Sequence, residues 1–78
     1  MSRPTSIHQI KSSRDFEYVT ERQGCSLRDV GGHTVAKNQR GSCACPRNRK
    51  ELCIGTLKAI VRTLAYMGLT VLAVVPFL

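Results

Sequence analysis

Charged side chains stop at Arg62. The sixteen residues that follow, 63–78, carry no charge, whereas the twenty-six before them, 37–62, carry seven Lys/Arg and one Glu. Of the formal net charge of +7, +6 lies in residues 37–62. An apolar end beside a basic stretch limits the fold strongly, because water rejects such an end and something must cover it.

Lipid is the first candidate cover. Ala59 to Leu78 is about the 20 residues a spanning helix needs. Ten of those residues are Leu, Ile, Val or Phe, worth together roughly −3 to −6 kcal/mol on an insertion scale. Arg62 opposes insertion by up to about 3 kcal/mol, but its stem is long enough to carry the guanidinium to the headgroups. From Leu52 the apolar residues recur at helical spacing, while Glu51, Gly55, Lys58, Arg62 and Tyr66 share the opposite face. Pro76 ends the pattern.

This reading predicts an all-α membrane chain with a single C-terminal transmembrane helix over about 52–75. Its anchoring residues are Leu57, Ile60, Val61, Leu64, Leu69, Val71, Leu72, Val74, Val75, Phe77 and Leu78. The basic flank, Arg47, Arg49, Lys50, Lys58 and Arg62, then contacts anionic phospholipid headgroups and keeps the N-terminus cytosolic. The uncharged run suits a thin bilayer, that of the endoplasmic reticulum or the mitochondrial outer membrane. Two other covers compete: a soluble core and the membrane interface. The first lacks a matching apolar surface, and residues 67–78 have no polar face for the second.

The remaining fifty residues read as poor in core. Ile7, Ile10, Phe16, Tyr18, Val19, Leu27, Val30 and Val35 are their only sizeable apolar side chains. Burial returns roughly 1.5–3 kcal/mol for each, while ordering the backbone costs about 1–2 kcal/mol per residue. Residues 1–36 are therefore expected to be polar and largely disordered, and 37–50 to be a basic, cysteine-containing linker before the helical segment 51–78. Within 15–36 a weak hairpin is expected. Phe16, Tyr18 and Thr20 alternate as in a strand, although the stretch equally suits a short helix, His33–Ala36 is a second strand candidate, and Gly31-Gly32 supplies a turn. Residues 1–14 have the Ser-rich, acid-free composition of a targeting segment, but Ile7, Ile10 and Arg14 share one helical face, which spoils it.

Few residues point to chemistry. Cys43, Cys45 and Cys53 precede the apolar segment amid basic residues, the usual setting for S-acylation. Cys25, His33, Cys43 and Cys45 number enough for zinc, but there is a single close pair, and it is C-x-C. Nucleic acid as a partner is disfavoured because no aromatic residue lies between Lys37 and Lys50. His8 and His33 have no nucleophile at a recognisable spacing, and no phosphate loop is present. The expectation is a non-enzyme without cofactor: a tail-anchored regulatory or adaptor subunit of a larger membrane complex. The alternatives are a membrane-permeabilising or pore-forming protein, and a translated reading frame without a selected role.

Overall fold

The computed structural model describes residue 4 and residues 6–69. A 3-10 turn at Ile7–Gln9 leads into helix α1, Ser13–Arg22. Three strands follow, β1 Ser26–Val30, β2 His33–Asn38 and β3 Gly41–Pro46, and then helix α2, Ile54–Tyr66.

Helix α1 falls where the alternation of residue types suggests a strand. The Ser12 hydroxyl caps it, accepting from the Asp15 amide at 3.2 Å, and the Asp15 carboxylate accepts from the Lys11 amide at 3.0 Å. Its buried residues are Ser13, Phe16, Val19 and Thr20, at the close spacings of one helical face. The Phe16/Tyr18/Thr20 alternation is present in the sequence, but the helical period decides which residues are buried. The helix ends where Gly24, at φ +86°, turns the chain. The Gly24 amide bonds the Glu21 carbonyl and the Cys25 amide bonds the Thr20 carbonyl, which is a Schellman closure.

The strands form one antiparallel sheet in the order β1-β2-β3. Val30 pairs with His33 across the two-residue turn Gly31-Gly32, both glycines having positive φ. The glycine pair thus does make a turn, but the strand before it is Ser26–Val30. Asn38 pairs with Gly41, and its side-chain oxygen accepts from the Arg40 and Gly41 amides. Helix α1 packs against all three strands and α2 against β3. Both cover the same face, where Ala36, Thr34, Cys43 and Cys45 are buried.

The expectation of an all-α chain with a disordered N-terminal region is overturned. The scarce apolar residues of the first half and the apolar residues after Glu51 are two halves of one core. Ile7, Ile10, Phe16 and Val19 pack with Leu52, Ile60, Leu64, Met67 and Leu69. Helix α2 is 13 residues long, roughly 20 Å at about 1.5 Å per residue, against the ~30 Å of a bilayer core. It ends as α1 does. Gly68 adopts φ +90°, its amide bonds the Ala65 carbonyl, and the Leu69 amide bonds the Leu64 carbonyl. Among the described residues no helix is long and apolar enough to cross a membrane, so the membrane and tail-anchor reading is withdrawn.

The residues assigned to anchoring divide accordingly. Ile60, Leu64 and Leu69 are buried in the core, and Leu57 and Val61 are half-buried at its margin. Val71, Leu72, Val74, Val75, Phe77 and Leu78 lie outside the described residues.

Candidate nucleic-acid interface

Strand pairing sorts the side chains into two faces, since successive residues of a strand point opposite ways. Thr34, Ala36, Cys43 and Cys45 point toward the helices. Their strand neighbours, with the cross-strand partners given by the register, make up the other face. It consists of Ser26, Arg28 and Val30 on β1, His33, Val35 and Lys37 on β2, and Ser42, Ala44 and Pro46 on β3. Neither helix covers it, and Val30 is 51% exposed there.

This face has two fixed cations and a histidine, no acid and no aromatic side chain of the Phe, Tyr or Trp kind. Its rows run Ser26–Lys37–Ser42, Arg28–Val35–Ala44 and Val30–His33–Pro46. At the Lys37 end a depression of about 750 Å³, lined by Gly24, Ser26, Lys37, Asn38, Gln39 and Arg40, adds a further cation and again no carboxylate. At the opposite end stands His33, exposed, its Nδ1 3.4 Å from the Gly31 carbonyl oxygen.

A second cationic group lies around the start of α1. Arg47, Asn48, Arg49 and Lys50 connect β3 to α2, and all four are exposed. Arg47 pairs with Asp29 at 3.2 Å, both side chains being well exposed, so the pair contributes little to stability. Of the other cations that the sequence assigns to a lipid surface, Lys58 and Arg62 are exposed on α2, beside a shallow groove they share with His8, Ile10, Leu57 and Val61.

The cysteines separate by environment. Cys25, Cys43 and Cys45 are buried against the helices. Burial pushes the Cys43 and Cys45 thiols up to about 11, and raises Cys25 also. Protonated and covered, Cys43 and Cys45 are poorly placed for the acylation expected of them. Cys53 is exposed; its Sγ lies 3.2 Å from the Thr56 hydroxyl, and that bond, with the Thr56 amide, draws its pKa down. The zinc set does not assemble, because His33 lies on the face opposite Cys43 and Cys45. Among the described residues no three His, Cys, Asp or Glu side chains gather in a metal-binding group.

No family model, no curated protein and no solved structure matches this chain. The arrangement of its own residues therefore carries the functional argument. The sequence alone does not single out Arg28 or Lys37 as site residues: Arg28 lies outside the basic stretch, and Lys37 opens the basic linker but is not among the cations assigned to headgroups. The signal that points to them is the register. Once Gly31-Gly32 is read as a two-residue turn, alternation places Arg28, His33 and Lys37 on one face.

Proposed function

We propose that this protein binds double-helical RNA through the helix-free face of its sheet, contacting phosphates and ribose hydroxyls rather than bases. The observation that carries this reading is the acid-free outward face bearing Arg28, Lys37 and His33 without Phe, Tyr or Trp. Cations without interspersed carboxylates form the electrostatic footprint of a phosphate backbone. Stacking on unpaired bases relies on aromatic side chains, and this face has no large one. The small residues Ser26, Ser42 and Ala44 keep it low, which suits the wide, shallow minor groove of A-form RNA, where hydroxyls meet 2′-hydroxyls. The net charge of +7 adds long-range attraction.

The test is fluorescence anisotropy on an RNA duplex of about 16 base pairs, the span such shape readers cover, with the matching DNA duplex and a single strand as comparators. Binding tightest to the RNA duplex and weakening steeply from about 50 to 200 mM salt is expected. R28A/K37A should flatten the salt dependence by roughly 1.5–2 in log–log slope, the loss of two phosphate contacts. An unchanged slope in that variant, or no binding at the lowest salt, rejects the reading.

One observation favours a second reading, RNA strand cleavage. His33 stands on the cationic face at the end of the sheet. In the tautomer that donates Nδ1–H to the Gly31 carbonyl, Nε2 carries the lone pair of a general base. RNA brings its own nucleophile, so a missing serine or cysteine partner is no obstacle. Nε2 takes the 2′-hydroxyl proton, O2′ forms a bond to phosphorus, the P–O5′ bond breaks, and O5′ leaves with a proton drawn from water, giving a 2′,3′-cyclic end. Arg28, one row from His33 on the same face, supplies the charge that steadies the crowded phosphorane, and Lys37 at the far end of the sheet holds a neighbouring phosphate. Incubating the same duplex and single strand with wild type and H33A separates the readings. Cyclic-phosphate products lost in H33A, with affinity kept, support cleavage; intact RNA leaves binding alone.

A further inference from the structure

The loop Arg47–Lys50 is well tied for four exposed residues. At its start the Ser13 hydroxyl donates to the Pro46 carbonyl at 2.6 Å, and the Arg47 amide donates to the Gly32 carbonyl at 3.1 Å. In its middle the Arg49 amide donates to Ser13 Oγ at 2.9 Å, and the Ser13 amide donates back to the Arg49 carbonyl at 2.9 Å. Just beyond it the Leu52 amide donates to the Lys11 carbonyl at 2.8 Å. Ser13 is 5% exposed, and Asn48 adopts φ +58° to complete the path. One buried hydroxyl thus holds the loop against the first turn of α1.

The fixed loop forms one wall of a depression of about 590 Å³, within the range of ligand sites. Arg14 shares its lining with Arg47, Arg49 and Lys50, and Glu17 is the single acid there. Glu17 is engaged by the Thr34 hydroxyl at 3.3 Å, and Arg47 by Asp29. Among the described residues Arg14, Arg49 and Lys50 have no carboxylate within 4 Å. Exposed cations around one depression, with its single acid already engaged, raise the local positive potential and so favour an anion there. A loop already ordered by the fold spares that anion the ordering cost.

We propose that this cleft is a second anion site, separate from the sheet face, that takes a phosphomonoester at the end of an RNA strand. A terminal phosphate carries about −1.5 to −2 charge near neutral pH, more than the single charge of an internal phosphodiester, and suits bidentate guanidinium contacts. The strand-end source rests on the RNA reading above; phosphate binding in the cleft does not.

Two measurements on the full chain test it. Inorganic phosphate followed by amide NMR is expected to shift the signals of Ser13, Arg14, Arg49 and Lys50. A 5′-phosphorylated RNA duplex is expected to bind about tenfold tighter than its 5′-hydroxyl twin, the gain of one bidentate charged contact. R14A/R49A, both on exposed side chains, should abolish that difference while leaving the 5′-hydroxyl duplex unaffected. Absence of shifts at those four amides overturns the site. Shifts with equal affinity for the two duplexes overturn the strand-end assignment in favour of an internal phosphodiester. Shifts without any RNA binding uphold the cleft and reject the sheet-face function.

Discussion

Cys43 and Cys45 show at residue scale how position overrides residue type. In the sequence they belong to the basic run and resemble surface thiols. In the fold they are two residues apart on β3, so both face the helices, and burial lifts each to about 11. The unfolded chain loses these protons near 9.0, the folded one near 11. Between those values the folded state binds more protons, so stability is full below about pH 9 and falls as pH rises toward 11. Each tenfold change in a proton equilibrium is worth about 1.4 kcal/mol. Solvent at the edge of the sheet screens part of that, so a loss on the order of 2 kcal/mol for the pair is expected. Urea midpoints measured at intervals across that window, for wild type and for C43A/C45A, check it. The wild-type curve should fall more steeply than the variant's.

Two glycines decide the elements. Gly24 and Gly68 each close a helix with the same pair of backbone bonds, and each is followed by a buried residue, Cys25 and Leu69. Gly68 lies inside the stretch the sequence suggests as one continuous spanning helix, yet it is the point at which that helix ends. An alanine there would place its Cβ 2.9 Å from an Arg40 guanidinium nitrogen, which can swing aside. The cost is then the left-handed backbone, about 1–2 kcal/mol. Gly68→Ala should lower the thermal midpoint by roughly 4–8 °C per kcal/mol in a domain of this size. A midpoint unchanged or raised would mean that the helix runs on past residue 68.

At the scale of the molecule, the core is shared between the two ends of the chain. Ile7 and Leu69, far apart in the sequence, share one buried cluster, and the two helices pack over a single face of the sheet. A chain ending at Lys50 should therefore not fold, since it loses Leu52, Ile60, Leu64, Met67 and Leu69 at once. A circular dichroism melt of that truncation checks this. A cooperative transition in it would show that the first fifty residues hold a core of their own.

The sequence by itself determined the local devices: the Gly31-Gly32 turn, the amphipathic stripe from Leu57 to Leu64, and the concentration of positive charge after Lys37. Each depends on backbone freedom or side-chain period within a few residues, so neighbours suffice to read it. Tertiary structure decided what covers the apolar stripe, which side of the sheet is left bare, and that Arg14 shares a cleft with Arg49. These depend on segments distant in the chain. Two sparse apolar surfaces, each too small to hold a fold alone, become sufficient when one buries the other. A residue-by-residue balance of either surface in isolation omits that mutual term, which is why the N-terminal half reads as disordered and the C-terminal half as lipid-bound.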